Sequence, residues 1–244
     1  APAWSRALVA VMAAVLSLGY CTIRFRPLIA TALGFVCALQ LGSLFGAATG
    51  YLVYSVGADF PLIDAELYAI DRALGFDWQV MLRWFADYPV LVKLTQVAYD
   101  QAGTQIAFIF FTLMLARQNE RLMKLVTAQF LALVIIHIVA IFLPAVGAYG
   151  YLGLTAADHP TMALTSEGHT VHQVMQLRTG ELFKLSQVQM MGLITFPSFH
   201  TVMVVQSAWA FWNVRGLRWP AVGFNVLVWM GTLLHGSHHL VDTI

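Results

Sequence analysis

Six long apolar runs constrain this chain more than any other feature, because they leave no room for a separate water-soluble domain. A helix that crosses a bilayer needs about 20 mostly apolar residues. The runs fall at roughly 7–23, 28–56, 90–116, 122–143, 197–214 and 219–242. The second is longer than a crossing needs, so a tilt or a projection beyond the bilayer is expected. Of the 244 residues, 59% are hydrophobic and 10% charged, against roughly 25% charged in a soluble domain. The expected fold is therefore an all-α integral membrane protein, a single domain over 1–244 built as a bundle of six transmembrane helices. The formal net charge of +1 leaves no bulk basic surface for nucleic acid. Residue 1 is not Met, so the natural start is expected upstream. No A-x-A-like cleavage site follows Ala7–Tyr20, whereas Arg24 and Arg26 do, which makes it a membrane helix rather than a signal peptide.

Alternating the six spans collects Arg24, Arg26, Arg117, Arg121, Lys124, Arg215 and Arg218 on one side, all in short connections. Short cytoplasmic loops are rich in Lys and Arg, so that side is the cytoplasmic one. The outer side receives both long connections, 57–89 and 144–196, and nearly every acidic residue, with Glu120 the exception. In the first connection Leu67, Ile70 and Leu74, then Trp78, Met81, Leu82, Trp84 and Phe85, recur at helical spacing broken at Gly75. Two short amphipathic helices in the interface are expected there, with their aromatic rings at headgroup depth. Gly34, Ala38, Gly42, Gly46 and Gly50 place a small residue every four along the second span, a spacing that lets helices pack closely. Cys21 and Cys37 lie in apolar stretches and have no metal or disulfide spacing; packing is their expected role.

Two stretches carry chemistry. In Phe196-Pro197-Ser198-Phe199-His200-Thr201, Pro197 suits the first turn of a helix. The N–H groups of such a turn, with Ser198, form an anion site that His200 faces. In His235-Gly236-Ser237-His238-His239-Leu240-Val241-Asp242, helical spacing puts His238 and Asp242 on one face. A carboxylate there can hold one imidazole nitrogen and leave the other free to attack. Both stretches fall at the same membrane face, and ionisable groups at membrane depth are costly unless they are used.

These stretches resemble the type 2 phosphatidic acid phosphatase (PAP2) superfamily, whose motifs P-S-x-H and H-x3-D match Pro197–His200 and His238/Asp242. The branch of inositol phosphorylceramide synthases and their bacterial relatives is similar in more detail. It shares Phe196–His200, the run 235–242 with Ser237 for Gly and His239 for Tyr, and Leu177-Arg178-x-Gly180. The likeness covers roughly residues 90–242. It implies that His238 attacks phosphorus, Asp242 orients His238, and His200 protonates the leaving oxygen, with Ser198 and His235 at the phosphate. It implies no metal and no cofactor, a lipid phosphate or phospholipid as substrate, and a bacterial inner membrane with the site facing the periplasm. The family's K-x6-R-P motif is absent, Arg26-Pro27 lies at the other face, and Thr232 stands where the third motif carries Arg. Phosphate calls for positive partners, and Arg178 and Lys184 on the outer connection are the candidates. Whether the phosphoryl group then goes to water or to a lipid hydroxyl stays open.

Lys93, Gln96, Tyr99 and Asp100 approximate one face of the third span and are expected to look into a polar cavity. A Lys93–Asp100 pair is one reading of them, and an acceptor or headgroup site is the other. His159, His169 and His172 read as solvated loop residues, and His137 as a hydrogen-bonded core residue. The competing functional class is a non-catalytic bundle, a transporter or haem-binding protein with these histidines as ligands. Pro197-Ser198 and Asp242 favour the enzyme.

Overall fold

The computed structural model describes residues 3–154, 169–181 and 192–244. Their regular structure is all helical, with eleven α-helices and no strand among the described residues: α1 (Ala3–Thr22), α2 (Pro27–Val56), α3 (Asp64–Ala73), α4 (Trp78–Ala86), α5 (Pro89–Asp100), α6 (Ala102–Leu115), α7 (Asn119–Phe142), α8 (Ala148–Leu152), α9 (His169–Thr179), α10 (Phe199–Phe211) and α11 (Arg218–Gly236). A 3-10 turn over Leu240–Thr243 follows α11.

Three of these are long and apolar enough to cross a membrane: Ser5–Thr22 within α1, Pro27–Val56 and Asn119–Phe142. Their outward side chains are large and apolar, among them Leu8, Val11, Val15, Leu52, Met123, Leu131 and Ile135. A continuous apolar surface of this extent suits lipid rather than water. The run expected as one third span is two helices, α5 and α6, interrupted at Gln101. At 13 residues, α10 is about 20 Å long. The last run is helical only to Gly236, where Ser237 takes a left-handed conformation (φ 60°).

Packing follows the small residues. Gly42 and Gly46 face the side chains of Phe130 and Leu133 on α7, while Gly34 faces Ser17 on α1. His137 bridges the same pair of helices, with Nδ1 2.6 Å from the Leu133 carbonyl and Nε2 3.2 Å from the Gly46 carbonyl. It is the hydrogen-bonded core histidine expected. Both cysteines are free, and Cys21 is exposed rather than packed. On the opposite flank α11 lies against α5 and α10. The approach to α5 is closest at Gly231, where a Cβ would stand 2.7 Å from the Thr95 carbonyl oxygen.

The first long connection forms the two short helices expected, broken at Gly75 (φ +82°). In α4, Trp78, Leu82 and Phe85 of the expected stripe are buried, and Trp84 is exposed. In α3 the stripe divides: Leu67 is buried with Asp64 and Asp71, while Ile70 and Leu74 point outward, the side an interfacial helix gives to the membrane. Its acidic side faces the protein. The physical reason is that both carboxylates find backbone N–H groups to hold. Asp64 accepts from Val146 and Gly147, and Asp71 from Leu240 and Val241.

Gly231→Ala is expected to cost about 1–3 kcal/mol through overpacking against α5. Gly223→Ala, on the same helix with no neighbour within 4 Å of its added Cβ, is expected to gain about 0.5–1 kcal/mol. Thermal unfolding of the two variants in detergent measures both shifts.

Candidate active site

The N-terminus of α10 and the end of α11 meet through one carboxylate. Ser198 is the N-cap of α10, and its Oγ accepts from the Thr201 N–H at 3.3 Å. Pro197 therefore precedes the cap rather than entering the first turn. The Ser198 N–H donates to Asp242 Oδ1 at 2.7 Å. The other oxygen, Oδ2, lies 2.7 Å from His238 Nδ1. That contact requires a proton on Nδ1 and makes Nε2 the ring nitrogen not bound to the carboxylate. The expected His238–Asp242 contact thus forms, although not on one helix. The chain leaves the helix at Gly236 and re-forms a 3-10 turn from Leu240, which brings the carboxylate back to the ring.

His200, in the first turn of α10, stands opposite. Its ring meets that of His238 at a centroid separation of 6.1 Å, and it stacks on Tyr99 at 4.4 Å. His235 Nε2 is 3.1 Å from Thr95 Oγ1, whose single proton goes to the Val92 carbonyl. The hydroxyl must therefore accept from Nε2–H. Gly236 separates these side chains, for a Cβ there would stand 2.8 Å from His238 Cδ2 and 3.0 Å from Tyr99 Oη.

A cavity of about 1090 Å³ opens onto these rings. Tyr99, Asp100, His200, His235 and His238 line its histidine-rich end, and residues of α2 and α7 line the rest, among them Ala38, Gly42, Gly46, Gln129 and His137. Tyr99 and Asp100 thus take the positions expected of them. Lys93 does not: it donates to Gln96 Oε1 at 3.2 Å, and no Lys93–Asp100 ion pair forms. Arg178 is not at the phosphate position either. Its guanidinium donates to the carbonyls of Gly57 (3.0 Å) and Phe60 (2.6 Å), where α2 ends. A helix C-terminus has surplus carbonyls and a negative dipole end, which the guanidinium satisfies. Lys184 and His159 lie outside the described residues; His172 is exposed on α9.

The sequence reading missed the layer behind the catalytic side chains. His239 is buried with Nδ1 3.4 Å from Asp71 Oδ2 and Nε2 3.4 Å from Asp64 Oδ1. Trp78 Nε1 also donates to Asp71, at 3.3 Å. Ser237 is gripped by the 144–149 segment: its carbonyl accepts from the Ala148 N–H and its Oγ from the Tyr149 N–H, both at 2.8 Å. Gly147 (φ +87°) allows that approach, since a Cβ there would lie 2.7 Å from the Ser237 carbonyl oxygen. The available signal was two carboxylates seven residues apart on a short helix, Asp64 and Asp71, which puts them on one face.

Burial alone would push the Asp71 carboxyl up, but hydrogen bonds from His239, Val241 and Leu240 outweigh it and hold the group below the usual carboxylate range. Burial likewise opposes the charge on His239, and the two carboxylates overcome it and raise its pKa. A lowered Asp71 adds stability that is lost as pH falls through its folded pKa. A raised His239 adds stability that is lost as pH rises through its own. The pair contributes fully between the ordinary values, about 3.9 for Asp and about 6.5 for His.

Among comparisons with known proteins, a family model described as the PAP2 superfamily matches residues 65–244. No curated protein and no solved structure matches the chain.

The melting temperature in detergent is expected to fall as pH rises from about 6.5 through the raised His239 titration, and His239→Gln to flatten that limb. Arg178→Gln is expected to lower the melting temperature by removing the cap on α2, with the KM for a phosphate ester unchanged per folded molecule. A selective rise in KM would return Arg178 to the phosphate.

Proposed function

The chain belongs to the PAP2 superfamily, and from that premise we propose that it moves a phosphoryl or phospho-headgroup between lipid-phase molecules through a phosphohistidine on His238. Superfamily membership by itself carries the coarser reading, phosphatase or phosphotransferase chemistry. The observation that carries the finer one is the pairing of a carboxylate-held His238 with His200 across the mouth of a large cavity.

In the first half-reaction His238 Nε2 attacks phosphorus. The N–P bond forms as the P–O bond to the leaving group breaks, and protonated His200 delivers its proton to the departing oxygen. General acid help of this kind is worth on the order of 10²–10⁴ in rate. Asp242 holds the Nδ1 proton and offsets the positive charge that grows on the ring. In the second half-reaction neutral His200 takes the proton from water or a lipid hydroxyl. That oxygen attacks phosphorus, and the N–P bond breaks.

The phosphate would rest on the N–H groups of Phe199 and His200, which have no intrahelical acceptor in a first turn. The Ser198 hydroxyl completes the cradle, joined by His235 when its ring is protonated, since Nε2–H is given to Thr95 and only Nδ1–H could then reach the phosphate; Lys184 is the candidate cation. Tyr99 and Asp100 would face the headgroup or acceptor. Six crossings fit this reading: α1, α2, the broken pair α5–α6, α7, α10 and α11. The basic residues of the short connections favour a cytoplasmic location for the far end, and hence a periplasmic active site in a bacterial inner membrane.

Purified protein with a panel of lipid phosphates and phospholipids tests this directly. His238→Ala is expected to lose turnover by at least about 10³-fold, and Asp242→Asn to retain a measurable fraction. Free phosphate as product would assign a hydrolase, and a new phospholipid a transferase. Activity that survives His238→Ala, or a haem absorption band in the purified protein, would overturn the assignment.

A further inference from the structure

Asp242 can serve His238 only if its own backbone is held, and its surroundings are poorly suited to holding it. It sits in a four-residue 3-10 turn, five residues after α11 has unwound at Ser237. So short a turn has no cooperative hydrogen-bond ladder of its own.

Trp229 Nε1 holds the Thr243 carbonyl on its far side at 2.9 Å, and on its near side the hold comes from α3, more than 160 positions earlier in the sequence. Asp71 Oδ2 accepts from the Leu240 N–H at 3.0 Å, and Oδ1 from the Val241 N–H at 2.8 Å. These are the two N–H groups immediately before Asp242. The ring of His239 lies between Asp71 and Asp64, and Asp64 in turn accepts from the N–H groups of Val146 and Gly147. All three side chains are at most 3% exposed. None touches the cavity that His200 and His238 line.

We propose that Asp71, through the Leu240 and Val241 N–H groups and with His239 and Asp64 as its brace, is a positioning residue that sets the aim of Asp242 at His238. Burying two carboxylates and an imidazole is a costly way to secure a loop, because apolar packing of similar volume does so at least as well. What apolar packing does not give is direction. Two charge-assisted hydrogen bonds from one carboxylate to consecutive N–H groups fix the orientation of the next residue. The error that matters is small, since a displacement of about 1 Å at a reacting group costs up to about 10²-fold in rate. The catalytic consequence rests on the phosphohistidine reading; the geometric claim does not.

Two readouts on Asp71→Asn separate these. The first is turnover on the substrate that gives His238-dependent activity in wild type, where kcat is expected to fall about 10–100-fold with KM within about 2-fold. The second is the ¹⁵N-histidine NMR spectrum in detergent. The resonance of the Nδ1 proton shared with Asp242, identified by its loss in His238→Ala, is expected to shift or broaden in Asp71→Asn. If Asp71→Asn does not fold, His239→Gln carries both readouts, because it leaves the carboxylates in place and removes only the brace. An unchanged His238 resonance would overturn the proposal, whether or not kcat falls. So would a failure of both variants to fold, which would make the cluster purely structural. If wild type shows no His238-dependent turnover, the functional assignment fails, and the NMR result still decides the positioning role.

Discussion

A single carboxylate holds the working end of this protein together. Asp242 accepts the Ser198 N–H at the start of α10 with one oxygen and meets the His238 ring with the other. Without it, two segments more than 40 residues apart in sequence would have no direct polar link at the site. The N-terminus of α10 is an electropositive position that attracts anions, and the protein occupies part of it with its own side chain. That choice keeps the carboxylate oriented and leaves the next N–H groups of the turn for another anion. The same bond therefore builds the fold and prepares the chemistry.

Around that bond the molecule is layered. The histidines and Tyr99 face the cavity, and behind them lies a shell of backbone N–H groups from 146–149 and 240–241 held by Asp64, Asp71 and Ser237. Outside that, α3 and α4 close the end of the bundle with Trp78, Leu82 and Phe85. The first long connection brings Asp64 and Asp71 here, and residues 144–149 at the start of the second bring backbone N–H groups, so the costly buried charge sits where several donors can satisfy it.

Much of the site was legible in the sequence because its signals are local. Spacing paired His238 with Asp242, although it assumed a helix that has already ended at Gly236, and the family resemblance implied His200 as their partner. A tight turn returned the carboxylate to the same ring by another route. Non-local facts were not legible. The apolar stripe of α3 marked an interfacial helix, but not that its other side would carry Asp64 and Asp71 to the N–H groups of residues 146–147 and 240–241. Arg178 had the right charge for a phosphate, but the carbonyls at the end of α2 lay closer. The interruption of the third apolar run falls at Gln101, with Gly103 two residues on as its one local signal. The six apolar runs marked where helices form, yet three helices are long and apolar enough by themselves to cross a membrane.

The cavity is bounded by two stretches of chain with different histories open to them. Its reactive end lies entirely within residues 65–244, the part that matches the superfamily, whereas one long wall is the small-residue face of α2, which lies before it. Substitutions along Ala38, Gly42 and Gly46 would change the width of that wall one methyl group at a time while leaving the histidines untouched. On the proposed reading, selectivity and chemistry would be separately heritable in this protein, the first carried by α2 and the second by the histidines.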